Sequence, residues 1–237
     1  MRLLLVNDDG IDAIGILLLR DAALRHGHEV YICAPMYQQS GKGHSIKMEE
    51  PIFVRAVPMD GVAAAFAIDS TPADCIRLGL NQLVPRPDAV LSGMNNGQNA
   101  GTDIYYSGTA GAAREAALHG LKAVAVSIQG KADLPARERA AEHAVANLDE
   151  WLSLPAKFGD FVNLNYPYRS DWQEMRRCVV DTHIFRDTFE RRESPRRGTY
   201  YWMGTGDAKL GPDEGSDQEM LNRGIAACSV ISLCTGQ

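Results

Sequence analysis

Two adjacent carboxylates, Asp8 and Asp9, follow directly on an apolar run at residues 3–6 and precede Gly10. Side by side they repel, and nothing basic follows closely. A hard divalent cation, which takes carboxylate and neutral oxygen ligands, relieves that repulsion. Neighbouring side chains on a strand point to opposite faces, so both reach one ion only if the chain turns here, and Gly10 permits the turn. The other reading is local: one carboxylate caps the following helix and the other is solvated. A second candidate is the polar loop Gln39-Ser40-Gly41-Lys42-Gly43-His44-Ser45, which offers hydroxyl and backbone contacts but lacks the P-loop spacing. The third is Ser92-Gly93-Met94-Asn95-Asn96-Gly97-Gln98-Asn99, followed by Tyr106-Ser107-Gly108-Thr109-Ala110-Gly111. A Ser-Gly-Thr helix start presents free N–H groups, two hydroxyls and the positive end of a helix dipole, which together suit an anion. The asparagine carboxamides of the preceding loop add neutral oxygens for a hard metal.

These residues need elements to hold them. Residues 3–6 and 30–33 read as buried strands, and Ile14, Leu17, Leu18 and Leu24 between them follow helical spacing up to Gly27. Residues 64–68 form the next strand, after which Ser70-Thr71-Pro72 opens a helix to about Leu83. Residues 88–91 are a strand that gives way to a glycine-rich loop. A helix runs from about Gly108 to His119, and residues 122–128 are strand again. Strand and helix alternating in this way predict a Rossmann-like, doubly wound, mostly parallel sheet of the α/β class. The three candidate segments then sit at the carboxyl ends of three strands, where such sheets bind ligands, and share one pocket. One more helix over 136–152 and a strand over 161–164 complete a core spanning residues 1–167. Residues 168–237 read as a β-rich extension: strands over 178–184, 185–192 and 199–203, an arginine-rich hairpin tip over 191–198, a loop or arm over 204–217, and a closing strand over 228–233. An extension of this kind is a common dimerising device.

The composition narrows the function classes. The 237 residues are 45% hydrophobic and 23% charged, ordinary globular usage, and 24 Lys and Arg against 30 Asp and Glu give a net charge of −6. Such a chain lacks the basic footprint of a protein that grips nucleic-acid polymers. No apolar run approaches a membrane span or a signal-peptide core. Cys33, Cys75, Cys178, Cys228 and Cys234 are odd in number and form no C-x-x-C pair, so buried reduced thiols in a cytoplasmic protein are expected. The six histidines form no tight metal spacing, and His44 alone lies in a candidate loop. No G-x-S-x-G elbow is present, and Cys75 falls mid-helix without an evident base, which disfavours acyl transfer.

Asn7-Asp8-Asp9-Gly10-Ile11, Ser40-Gly41 with His44-Ser45, Thr71-Pro72-Ala73-Asp74-Cys75, Ser92-Gly93-Met94-Asn95 and Tyr106-Ser107-Gly108-Thr109 resemble, in order over most of residues 1–130, the SurE family. Its members are metal-dependent 5′-nucleotidases, also described as acid phosphatases acting on nucleoside monophosphates. The resemblance implies one divalent ion per subunit, Mg²⁺ or Mn²⁺, held by Asp8, Asp9, Ser40 and Asn95. It places the phosphate against Asn99 and the Ser107-Gly108-Thr109 helix start. It also implies a homodimer or homotetramer assembled through the β-rich extension. Three positions depart from the family pattern around the site: Asp12 and Ile14 stand where His and Pro are expected, and Asn96 replaces a small or basic residue. Asp12 would add negative charge near the metal.

The expected reaction is metal-assisted attack of water on a phosphate monoester, with Asp8 or Asp9, preferentially Asp9, accepting the water's proton. A covalent aspartyl-phosphate route of the haloacid-dehalogenase type wants two aspartates separated by one residue, whereas Asp8 and Asp9 are adjacent. The alternative from another class is a non-catalytic nucleotide- or phosphate-binding regulator on the same fold. A binder has no use for two carboxylates beside a phosphate.

Overall fold

The computed structural model describes residues 1–154, 157–182, 187–204 and 211–232. In chain order the elements are β1 (Arg2–Val6), α1 (Ile14–Arg25), β2 (Glu29–Pro35), β3 (Val54–Ala56), β4 (Ala64–Ile68), α2 (Pro72–Leu78), β5 (Ala89–Asn96), α3 (Gly108–Leu118) and β6 (Lys122–Ile128). They continue as α4 (Leu134–Ala146), α5 (Leu148–Ser153), β7 (Phe161–Tyr166), β8 (Gln173–Arg177), β9 (Thr188–Ser194), β10 (Gly198–Gly204), α6 (Asp217–Asn222) and β11 (Ile225–Ile231).

Strands buried on both faces must be apolar throughout, and β1 shows why. Leu3 and Leu5 face one side, packing with Ile16 and Leu19 of α1 and Ala140 and Ala144 of α4. Leu4 and Val6 face the other, packing with Ile76 of α2 and Ala110 and Ala113 of α3. Helices rich in alanine let these layers approach closely, so the molecule is a three-layer α/β sandwich. The sheet order among the described residues is β3-β4-β2-β1-β5-β6-β7-β11-β8. Neighbours from β4 through β7 are parallel; β3 and β11 run antiparallel to β4 and β7. From β1 the chain winds outward through β2 to β4, then returns to β5 on the other side of β1. That reversal opens a crevice at the carboxyl ends of β1 and β5, the position where doubly wound sheets take their ligands.

Several expected boundaries move. Residues 92–96 read as loop but form the second half of β5, paired with Ala125 to Ile128 of β6 across an irregularity between Gly93 and Asn95. A partner strand overrides the poor strand propensity of Gly and Asn. The helix expected to Leu83 is α2 followed by a π-helical turn over Gly79–Leu83. The single helix over 136–152 breaks at Asn147, whose side chain donates to the His143 carbonyl at 2.9 Å and competes with the helix ladder. Arg191 and Arg192 are strand residues of β9, so the hairpin tip is only Pro195, Arg196 and Arg197. Upstream, β8 occupies Gln173–Arg177, a polar edge strand with little hydrophobic signal, and residues 178–182 carry only an isolated bridge between Val179 and Ser216. Residues 183–186 of the expected strands, residues 205–210 of the expected arm, Leu233 and Cys234 lie outside the described residues. The short strand β3 was not anticipated.

Candidate active site

The turn after β1 is built by its own side chain. Asn7 Nδ2 donates to the Gly10 carbonyl at 2.7 Å and Gly10 N–H donates back to Asn7 Oδ1 at 3.2 Å. Gly10 adopts φ +103°, a conformation costly for any residue with a Cβ. This turn directs both aspartates into the crevice. The Asp8 carbonyl then accepts from Gln39 N–H at 2.7 Å and Ile11 N–H donates to the Pro35 carbonyl at 2.9 Å, which stitches the turn to the end of β2.

Asp8 is only 4% exposed, and its Oδ1 accepts from Thr109 Oγ1 at 2.6 Å. Burial pushes its carboxyl up to about 6; the Thr109 hydrogen bond opposes this and the neighbouring charge of Asp9 adds to it. Asp9 Oδ2 accepts from Asn96 N–H at 3.1 Å, and Gln38 Nε2 reaches Ser40 Oγ at 2.9 Å. Asn95 Nδ2 donates to the Gly97 carbonyl at 2.7 Å, which leaves its Oδ1 uncommitted. At the start of α3, Ser107 Oγ caps the helix by accepting from Ala110 N–H at 3.0 Å. The N–H groups of Gly108 and Thr109 have no acceptor within the helix. Gly108 is required by contact: a Cβ there would lie 2.8 Å from Asp8 Cβ and 3.0 Å from its Oδ2.

A cleft of about 230 Å³ at this edge is lined by Asp8, Asp9, Ser40, Asn95, Asn99 and Ser107, among others. Six of the eight expected site residues thus share one cavity. Gly108 and Thr109 are buried and are not part of its lining, and the Thr109 hydroxyl is committed to Asp8. His44 turns away from the cleft to Glu115 of α3, at 2.6 Å. Asp12 is exposed and is not part of the cleft lining. Asn96 does line it, and accepts from Arg137 of α4 at 2.7 Å. Cys75 is a fully buried thiol pushed well up by desolvation, unsuited to nucleophilic work.

The sequence reading missed what holds Asn99. Its carbonyl accepts from Asn163 at 2.8 Å and Asn165 at 3.1 Å, its N–H donates to Asn165 Oδ1 at 2.8 Å, and its Nδ2 donates to Ser127 Oγ at 2.9 Å. Two asparagines spaced by two in the apolar run of β7 mark one strand face as polar, a signal available without coordinates. Gln38, Gln98, Asp103 and Tyr106 also line the cleft, and the sequence assigns none of them a role of its own.

The donor set is all oxygen: two carboxylates, a hydroxyl and a carboxamide. That chemistry fits a hard divalent cation retaining part of its water. Among the described residues no three His, Cys, Asp or Glu side chains gather as a metal group, so zinc-type ligation has no candidate here.

The family model described as Survival protein SurE matches residues 3–188. The 5′-nucleotidase SurE of Desulfovibrio desulfuricans is 38% identical over 234 residues, spanning 94% of this chain and 90% of that protein. The 5′-nucleotidase SurE of Caldanaerobacter subterraneus subsp. tengcongensis is 33% identical over 230 residues, spanning 96% and 90% respectively. The crystal structure of the SurE protein from Aquifex aeolicus matches with a TM-score of 0.83 at 29% identity, covering all of this chain (100%) and 95% of that one.

Proposed function

The chain belongs to the SurE family, and from that premise we propose that it is a metal-dependent 5′-nucleotidase, a phosphomonoesterase that hydrolyses nucleoside 5′-monophosphates to nucleoside and phosphate. The observation that carries the reading is the 2.6 Å hydrogen bond joining Asp8 to Thr109. It fixes a carboxylate suited to a cation directly against a helix start suited to a phosphate, as a phosphatase needs and a simple anion binder does not.

Asp8, Asp9, Ser40 and Asn95 would hold one Mg²⁺ or Mn²⁺ per subunit. The ion supplies Lewis-acid stabilisation of charge on the phosphoryl oxygens. The protein does the rest. The Ser107 hydroxyl, the free N–H groups of Gly108 and Thr109, and the Asn99 carboxamide take the phosphate oxygens at the positive end of α3. Asn163, Asn165 and Ser127 keep Asn99 in place. Asp9, at the rim with its Oδ2 on Asn96 N–H, accepts the proton of the attacking water.

The β9–β10 hairpin pairs only with itself among the described strands and exposes apolar side chains on both faces. An isolated two-stranded hairpin is marginal in water, which supports assembly as a homodimer, or a homotetramer of such dimers, through this arm. No helix among the described residues is long and apolar enough to cross a membrane. The described cysteines are free thiols, which fits a cytoplasmic setting.

The test is phosphate release from a panel of nucleoside monophosphates and p-nitrophenyl phosphate, after EDTA treatment and again with Mg²⁺ or Mn²⁺ restored. Release that returns with metal is the expected result and ranks the substrates. No release with either metal, from folded protein, overturns the reading in favour of a binding module.

A further inference from the structure

Resting on the phosphatase reading above, we propose that Asp103 is the general acid of the reaction, the group that protonates the leaving 5′-oxygen. Asp103 lies in the 3₁₀ turn Gly101–Tyr105 and lines the same cleft as Asp8, Asp9 and Ser107. Its carbonyl accepts from Tyr106 N–H at 3.0 Å, so the residue stands one turn ahead of the helix start that would take the phosphate. That carboxyl has no hydrogen-bond or ion-pair partner among the described residues. Asp8 and Asp9, by contrast, are each tied to a donor and belong to the candidate metal set.

The charge of the cleft points the same way. Its described lining carries three carboxyl groups and no Lys, Arg or His. A phosphate monoester dianion beside three ionised carboxylates leaves a large negative excess even with one divalent cation bound. A cation drawn to Asp8 and Asp9 favours their ionised forms, so the group free to carry a proton is the third. Asp103 shares the cleft lining with Asp8, Asp9 and Tyr106. The charge that acts on it is Asp217 of α6, whose Oδ2 accepts from Gly101 N–H at 3.0 Å and whose Oδ1 accepts from Asp181 N–H at 2.9 Å. Burial, with the negative charge of Asp217 adding to it, pushes the Asp103 carboxyl up.

In the step, the water oxygen forms its bond to phosphorus and the bond from phosphorus to O5′ breaks. The bonding pair goes to O5′, which takes the Asp103 proton to become the hydroxyl of the nucleoside. The attacking water loses its proton to Asp9 and from there to solvent, and the Asp103 carboxylate is reprotonated from solvent. Nothing beyond water is consumed.

The assignment makes a claim about leaving groups. A 5′-alkoxide needs a proton to depart, and p-nitrophenolate does not. Asp103→Asn keeps shape and hydrogen-bonding capacity but cannot supply the proton. With metal restored, its kcat on nucleoside monophosphates should fall about 10²–10⁴-fold, the usual contribution of general acid–base catalysis. Its kcat on p-nitrophenyl phosphate should fall by a far smaller factor, and that residual turnover reports an intact site. Across a series of aryl phosphates the variant's rates should depend more steeply on leaving-group acidity than the wild type's. Equal losses on both substrate types, or an unchanged leaving-group dependence, overturn the assignment while leaving the phosphatase reading intact. A wild type that releases phosphate from nothing in the presence of metal overturns both.

Discussion

Thr109 Oγ1 donates to Asp8 Oδ1 at 2.6 Å, between the turn after β1 and the first turn of α3. Both residues are buried. The contact binds the two halves of the cleft, the carboxylates on one side and the helix start on the other, into one rigid piece. It also keeps Asp8 short of full protonation, because a hydroxyl donor favours the charged form against the effect of burial.

Asp8 is therefore expected to be a residue whose removal stabilises the protein and abolishes its activity. Its carboxyl is raised from 3.8 to about 6 in the folded state. As pH rises through that window the unfolded chain releases its proton first, while the folded protein still holds one. Stability accordingly falls across the window, by on the order of 3 kcal/mol once pH exceeds both values. Asp8→Asn removes the charge but can still accept from Thr109. In metal-free protein it should melt above wild type at neutral pH, with the gap closing towards the unfolded value of 3.8. Its metal-restored turnover should be lower by a factor on the order of 100 or more. Melting curves across pH and phosphate release measure the two effects, and full activity in this variant would sink the assignment.

Thr109→Val should act through Asp8 instead of through substrate. The isosteric change deletes the donor, so the Asp8 carboxyl moves further up and competes more strongly for a proton against the cation. More metal should be needed for half-maximal activity, and the acid limb of the pH profile should shift to higher pH. The buried unpaired carboxylate costs about 1–3 kcal/mol at neutral pH. Thr109→Ser retains the hydroxyl and should restore both readouts. Metal titrations at fixed pH that do not separate Val from Ser would count against this coupling.

Much of this was legible in the sequence because each expected segment obeyed two constraints at once. The apolar runs at β1, β2, β4 and β6 could only be buried strands, and the residues after β1 and β2 were polar where a parallel sheet opens. Asn95 and Asn99 stand out in the sequence as candidate ligands and both line the cleft, although residues 92–96 form strand where the sequence reads as loop. The strand character of residues 92–96 came from pairing with β6, a long-range term that local propensity does not contain. The support of Asn99 by Asn163 and Asn165 was hidden for the same reason: β7 is remote in sequence and meets the loop only in the folded protein. Asp103 carried no motif of its own. Its raised carboxyl depends on burial and on Asp217, which lies more than a hundred residues away.

Gly108→Ala tests close approach at the helix start. Alanine is a good helix former, and its added Cβ would meet Asp8 Cβ at 2.8 Å and Pro72 Cγ at 3.1 Å. The contact must be relieved by moving α3 away from the β1 turn or by displacing Asp8. A stability loss of about 1–3 kcal/mol follows from overpacking. Activity should fall by more than the stability change accounts for, because the strained contact is with a candidate metal ligand. Comparing kcat with the melting temperature separates the two. A variant that melts lower yet turns over normally would show that the cleft tolerates the shift.

The arm should decide the oligomeric state. In the β9–β10 register Phe189 lies opposite Met203, and Arg191 opposite Tyr201, on one face; Trp202 lies opposite Glu190 on the other. Phe189 is 63% exposed and Met203 69%, yet both are bulky apolar residues on a two-stranded ribbon that cannot bury them itself. A second copy covering this ribbon would remove the exposure and close the assembly by two-fold symmetry. Light scattering on the wild type should then return a dimer or tetramer. Phe189→Ser combined with Met203→Ser should lower the mass towards that of one chain at micromolar concentration, with the α/β core still folded by circular dichroism. A wild type that is monomeric at high concentration, or a double variant of unchanged mass, would remove the arm from the assembly.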